Sequence, residues 1–160
     1  MENFLNNPQF QIFFQLILAT ILGGLVGLER EYKRRAAGLR TYSLVCLGAA
    51  LFTILGLKAA EMYIDSNNSS LGIDPSRIIG QIVLGIGFLG AGLIVIRESR
   101  VEGLTTAAGL WVVAALGAAV GLKLYLIAVF TAFLTLGILS GLRIIEDKII
   151  HKSQQEDTEI

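Results

Sequence analysis

The sequence predicts an all-α, polytopic membrane protein with five transmembrane helices. Of its 160 residues, 54% are hydrophobic and only 16% are charged, against about 25% charged in an average soluble domain. Most of the apolar blocks approach the roughly 20 residues that cross about 30 Å of hydrocarbon as a helix. They lack the polar alternation of strands and are too long for barrel strands. The five blocks are Phe10–Leu28, Thr41–Leu57, Ile78–Ile96, Leu104–Leu122 and Leu124–Leu142.

Each block begins and ends at recognisable residues. The first block is longer than the apolar core of a signal peptide, and no basic residue precedes it, so we interpret it as a span. The second block is the shortest and is expected to begin near Arg40, whose long side chain can reach the interface. Pro75 is well placed to start the third helix, and a short turn at Lys123 separates the fourth from the fifth.

Charge distribution predicts the orientation of the spans. Segments on one side hold ten basic residues, and segments on the other hold only Lys58, Arg77 and Lys123. The positive-inside rule then places the N-terminus outside and the C-terminus in the cytoplasm. We expect a transmembrane domain over residues 1–142 and a short cytoplasmic tail over 143–160. The ten basic residues are Arg30, Lys33, Arg34, Arg35, Arg40, Arg97, Arg100, Arg143, Lys148 and Lys152.

Two helical hairpins resemble each other. The turn GLRT (Gly38–Thr41) leads into a helix containing LGAA, and so does the later turn GLTT (Gly103–Thr106). Spans one and two would then form a parallel repeat with spans three and four, related by an axis along the membrane normal. Chance similarity between spans rich in Gly, Ala and Leu stays open as the alternative.

Glycines at helical spacing form a second candidate feature. Gly23 and Gly27 lie four residues apart in the first span, and the third span contains GIGFLGAG. Small residues let helices approach closely in lipid, which predicts close packing of spans one and three. The alternative is a locally unwound third span whose carbonyls line a pathway. The glycines of GIGFLGAG are Gly85, Gly87, Gly90 and Gly92.

Charged groups are absent from the centre of every block, whereas a polar cluster is expected at the cytoplasmic ends of the spans. The absence disfavours ion-coupled transport, and central Gln15 and Gln81 are predicted to hydrogen-bond across helices. At the ends, one or more acids of Glu29, Glu31 and Glu98 are expected to pair with Arg40 and lock the hairpins together. The alternative is that the cluster binds an ion, a headgroup or a partner helix. The cluster comprises Glu29, Arg30, Glu31, Arg40, Thr41, Thr105 and Thr106.

Enzymatic chemistry has little support in the sequence. His151 is the only histidine, Cys46 is the only cysteine, and no phosphate-cradling GxxxxGK[ST] occurs. We therefore expect no catalysis, no cofactor and no nucleic-acid partner, and the sequence assigns no metal site.

Three motifs in register resemble the MgtC/SapB family of bacterial inner-membrane proteins. They are LEREYKRRAAGLRTYSLVCLGAALF, GIGFLGAGLI and GLTTAAGLWVVAALGAAVGL. The resemblance implies a plasma-membrane protein linked to adaptation to low magnesium, acid or related stress. In that family the ERE…AGLRT segment is the signature, here Glu29–Glu31 and Ala37–Thr41. The chain ends at Ile160, so the SapB-like branch, which lacks the soluble C-terminal domain of the MgtC branch, is the closer analogy.

Two functions remain open at this point. The first is a non-enzymatic regulator that packs against itself or another membrane protein through small-residue faces. The second is a transporter or channel for Mg²⁺ or another small solute. A homo-oligomer in the bilayer is expected under either hypothesis.

Overall fold

The computed structural model describes residues 7–66, 74 and 76–142. In this part of the chain five helices are long and apolar enough to cross a membrane, as the sequence predicts. The fifth, α5, continues into a π-helical turn at Ile138–Leu142. The helices are α1 Pro8–Tyr32, α2 Leu39–Ser66, α3 Ser76–Leu93, α4 Leu104–Gly121 and α5 Tyr125–Gly137.

A short β-hairpin departs from the all-α prediction. Strands β1, Val95–Arg97, and β2, Arg100–Glu102, pair antiparallel between α3 and α4. Helix α3 therefore ends at Leu93, before the predicted end of the third block, because three β-branched residues follow it (Ile94–Ile96). Gly103 closes the hairpin with φ 91°, and a Cβ there would lie 2.0 Å from the Leu93 carbonyl oxygen. Only glycine fits this position.

The boundaries of two helices have clear local causes. The Asn7 side chain accepts a hydrogen bond from the Gln9 N–H at 3.0 Å and caps α1, whose first residue is Pro8. At the other end the Arg35 N–H bonds to the Arg30 carbonyl and the Arg34 N–H to the Glu31 carbonyl. This is a Schellman motif, with Arg34 at φ 52° in the position that glycine usually occupies.

The core is built from α1, α2 and α4, and Cys46 of α2 lies at its centre. A Cβ on Gly23 of α1 would lie 2.5 Å from the Cys46 Cβ, and one on Gly117 of α4 would lie 2.1 Å from the Cys46 carbonyl oxygen. Glycine on both sides thus lets α2 fit between α1 and α4. Helix α3 rests mainly on α4, and α5 packs against α4 and α1.

The prediction that spans one and three pack closely is wrong, and so is its alternative, an unwound third span. The structure pairs span one with spans two, four and five, and none of the principal helix contacts joins it to span three. The GIGFLGAG stretch lies inside the continuous helix α3, so it is not unwound.

Helix α2 also runs nine residues beyond the predicted end of its block, to Ser66. The predicted tail (143–160) and Pro75 lie outside the described residues.

Hydrogen bonds show which helix ends lie together. Arg30 of α1 contacts Thr106 of α4, and Lys33 contacts Leu139 after α5, so these three ends share one side of the bundle. We call this side the polar end. At the opposite end the Lys123 ammonium donates to the Gln11 side chain at 3.1 Å. The assignment of the polar end to the cytoplasm, and the hairpin repeat, stay predictions.

Candidate functional site: a buried polar cluster

Arg30 is the centre of the polar end. Its side chain is only 3% exposed, and its Nη2 donates to the Thr106 hydroxyl at 3.1 Å. Its Nη1 lies 3.7 Å from Oε2 of Glu29. Because Arg30 belongs to the last turn of α1, its positive charge also interacts favourably with the helix dipole. One guanidinium thus links the end of α1 to the start of α4.

Glu29 and Lys33 extend this network to α5. They form an ion pair one helical turn apart, and the Lys33 ammonium also donates to the Leu139 carbonyl at 3.1 Å. The Ser140 hydroxyl lies 3.4 Å from Oε1 of Glu29 and from Nζ of Lys33, donating to the first and accepting from the second. The π-helical turn is therefore held by the charged end of α1.

Tyr42 joins α2 to the same cluster. The residue is fully buried, and its hydroxyl donates to the Thr106 carbonyl at 3.1 Å. A Cβ on Gly109 would lie 2.4 Å from this hydroxyl oxygen, so α4 needs glycine there to admit the ring. The sequence analysis did not include Tyr42 in the polar cluster. The available signal was its position one helical turn before Cys46, which places both residues on one face of α2.

The remaining predicted cluster residues lie elsewhere. Oε2 of Glu31 accepts a hydrogen bond from the Leu39 N–H at 3.0 Å and so satisfies the start of α2. Arg40, Thr41 and Thr105 are exposed and make no side-chain hydrogen bond or ion pair with other described residues. The expected pairing of acids with Arg40 is therefore wrong, and Arg30 and Lys33 take that role.

The spacing of α1 explains why Arg30 is the buried cation. Gly23, Gly27 and Arg30 follow at i, i+4 and i+7, which places all three on one helix face. That face packs against α2, where a Cβ on Gly27 would lie 2.8 Å from the Tyr42 Cβ. Arg40 lies in the first turn of α2, on the side opposite the packed face that contains Tyr42, and stays exposed. The sequence shows that Arg30 shares a face with these glycines, but only the packing of α1 against α2 shows that this face is the buried one.

Two polar atoms of the cluster lack a hydrogen-bond partner. Oε2 of Glu29 and Nε of Arg30 are buried without a hydrogen-bond partner among the described residues. The three ionised side chains, Glu29, Arg30 and Lys33, sum to one positive charge. In the described part of the chain no group of three His, Cys, Asp or Glu side chains could hold a metal ion. The arrangement is suited to locking helix ends together.

The glycines of α3 differ from those of α1 in their surroundings. A Cβ on Gly85, Gly87 or Gly92 would meet nothing within 4 Å, and one on Gly90 would lie 3.6 Å from the Ala107 Cβ. Helix α3 is correspondingly little covered by its neighbours. Only 11% of its 18-residue membrane-spanning segment is buried, against 56% for α4. The predicted glycine set thus divides into a packed pair in α1 and an open group in α3.

The chain resembles known bacterial proteins over most of its length. It is 37% identical to "Putative magnesium transporter YhiD" of Escherichia coli K12, covering 89% of this chain and 66% of that protein. It is 40% identical to protein SrpB of Synechococcus elongatus, over 81% and 74% of the two chains. It is 44% identical to protein MgtC of Salmonella typhimurium, over 71% and 44%. No solved structure matches the chain.

These similarities agree with the fold. The chain spans just under two thirds of the length of the Escherichia coli relative. Five apolar helices and bacterial relatives make it a multi-pass protein of the bacterial inner membrane. The model of the MgtC family matches residues 16–148, which include every described helix beyond the first turns of α1. The chain belongs to the MgtC family.

Proposed function

We propose that this chain is a non-enzymatic membrane regulator, linked to magnesium homeostasis, that acts by helix association in the bilayer. The observation that carries the proposal is the open outer face of α3, which Gly80, Gly87 and Ala91 share. A Cβ on either glycine would meet no atom within 4 Å, and Ala91 is exposed. The name of the Escherichia coli relative supports the link to magnesium.

The open face of α3 is suited to contact with another helix in the bilayer. Lipid tails are as apolar as leucine side chains, so helices associate there through close van der Waals contact between small residues. The glycines of α1 and α4 already serve contacts within the chain, whereas those on the outer face of α3 serve none. A second copy of the chain is the proposed occupant, which makes the protein a homo-oligomer.

The polar cluster has a structural role in this proposal. Its hydrogen bonds and ion pairs join α1, α2, α4 and α5, and none of them involves α3. Four helices are therefore locked at the polar end, while α3 is held mainly by α4 and remains available to a partner. Regulation of another membrane protein would act through the resulting assembly.

Cross-linking and growth test the association. Gly87→Leu should abolish cross-linking between copies and fail to restore growth at limiting magnesium to a strain lacking the gene. The matched control is Gly137→Leu in α5, where a Cβ also meets nothing within 4 Å. Gly23→Leu does not suit this test, because its Cβ would collide with Cys46 inside the chain. Unchanged cross-linking by folded Gly87→Leu would reject the proposed surface.

Magnesium transport is the second candidate, favoured by the name of the Escherichia coli relative. Mg²⁺ uptake should be measured in proteoliposomes containing wild type, Arg30→Gln or the exposed-site control Arg40→Ala, with empty liposomes as background. No uptake from folded wild type supports the regulator. Uptake that Arg30→Gln abolishes and Arg40→Ala retains would overturn it and make the cluster part of a pathway.

A further inference from the structure

A cleft of about 670 Å³ lies between α2 and α3. This volume falls within the roughly 300–1,000 Å³ of small-molecule sites, which are mostly apolar with a few placed polar groups. Gly48 of α2 and Gly85 of α3 leave it open, since a Cβ on either would meet nothing within 4 Å. Its lining is apolar apart from Arg77 and Gln81, and includes Leu44, Phe52, Ile82 and Leu89.

The cleft is long enough to hold the acyl chain of a lipid. Its α3 side runs from Arg77 to Leu89, and the twelve steps between these residues correspond to about 18 Å of helix. Half of a hydrocarbon core of about 30 Å is about 15 Å. Helices α2 and α3 meet beside Arg77, where a Cβ on Gly56 would clash with the Ile78 side chain. The cleft therefore begins at the Arg77 end of α3 and extends past the middle of that helix, to about one turn from its end at Leu93.

The lining of the cleft favours a hydrocarbon chain as the occupant. The cleft is partly open to its surroundings, and its lining is apolar over most of its length. An acyl chain can lie along such a cleft between two helices while its polar head stays at the end where Arg77 lies.

Two polar side chains lie at one end of this apolar cleft. Arg77 is exposed, and its guanidinium makes no hydrogen bond or ion pair with another described residue. The neighbouring Asp74 carboxylate accepts a hydrogen bond from the Ser76 N–H at 2.9 Å and also interacts electrostatically with Arg77. Gln81 lies one turn deeper on the same face, about 6 Å along the helix, and its amide also lacks a partner among the described residues.

We propose that this cleft binds a glycerophospholipid, with the phosphate at Arg77 and one acyl chain in the apolar cleft. The Gln81 amide then donates to the acyl ester carbonyl, which lies just below the phosphate in such a lipid. The pairing satisfies an exposed charge at the interface and an amide that would otherwise face hydrocarbon unbonded. Gly48 and Gly85 leave open the space that the acyl chain occupies.

Native mass spectrometry tests this site. Purified protein in dodecylmaltoside is titrated with phosphatidylglycerol, and we expect one tightly bound lipid per chain. Arg77→Gln should weaken binding about tenfold or more, because it removes a charge-assisted hydrogen bond. Gly85→Leu should abolish binding by filling the cleft. Gly87→Leu, on the outer face of the same helix, should retain it, while a thermal melt verifies that each variant is folded.

Each outcome separates this proposal from the regulatory one. Loss of lipid in Gly85→Leu with intact cross-linking supports a lipid site independent of association. Equal lipid retention by wild type, Arg77→Gln and Gly85→Leu would mean annular lipid only and overturn the site. A cysteine at position 81 that cross-links two copies would show that the chain itself occupies the cleft, which also overturns it.

Discussion

Replacing Thr106 with valine tests the buried polar cluster directly. The substitution keeps the shape of the side chain and removes the hydroxyl that accepts from Nη2 of Arg30 at 3.1 Å. Thr106 is 4% exposed and Arg30 is 3% exposed, so water cannot readily replace the lost acceptor. Because Nε of this guanidinium already lacks a partner, the variant leaves a second buried nitrogen unsatisfied.

The magnitude follows from the charge of the donor. Interhelical hydrogen bonds in membranes average about 0.6 kcal/mol, but hydrogen bonds to charged groups contribute about 1.5–3 kcal/mol. We expect Thr106→Val to lower the free energy of unfolding by about 1.5–3 kcal/mol, since the stranded group is a buried cation. Equilibrium unfolding in mixed dodecylmaltoside and SDS micelles, followed by the fluorescence of the single Trp111, measures this loss.

The neighbouring residue provides the control. Thr105 opens the same helix but is exposed, and its side chain has no hydrogen bond to another described residue. Thr105→Val should therefore change the free energy of unfolding by less than about 0.5 kcal/mol. A Thr106→Val loss below that value, or an equal loss in both variants, would refute the reasoning that the cluster stabilises the polar end.

Two further substitutions test the packing of α4 by the same unfolding measurement. Gly117→Ala should lower the free energy of unfolding by about 1–3 kcal/mol, because the added Cβ would lie 2.1 Å from the Cys46 carbonyl oxygen. The control Gly137→Ala should lower it far less, since a Cβ there meets nothing within 4 Å. Similar losses in the two variants would contradict the close approach of α2 and α4. Gln15→Leu should cost about 1–3 kcal/mol, since the amide donates at 2.8 and 3.0 Å to two carbonyls at the end of α4. Gln81→Leu, which removes an exposed amide, should leave stability unchanged, and an equal loss would argue against the Gln15 contact.

Gln15 and Gln81 illustrate how far sequence reasoning reached. Both are lone amides in apolar blocks, and both were predicted to bond across helices. The prediction is confirmed for Gln15, which is 1% exposed, and wrong for Gln81, which is exposed at the cleft between α2 and α3. The hydrophobic pattern is alike around both residues. Only the placement of neighbouring helices decides which amide finds a carbonyl.

The sequence by itself determined the five membrane-spanning helices and the motifs of the family. Length and apolarity of a block suffice for this, because a backbone in hydrocarbon must satisfy its own hydrogen bonds within the helix. The β-hairpin was not predicted, because Ile94–Ile96 continue the apolar pattern of the third block. Its strand state depends on pairing with β2 and on the close approach of Gly103 to Leu93.

The tertiary structure alone decided which charges and glycines are buried. Glu29, Arg30 and Glu31 are consecutive, so they point about 100° apart around α1, and the sequence offers all three equally to a partner. Packing of α1 against α2 and α4 buries Arg30 and leaves Arg40 in the open. The same packing fills the space around Gly23 and leaves Gly87 uncovered. Helix periodicity is local, but the choice of neighbouring helices is a property of the whole bundle.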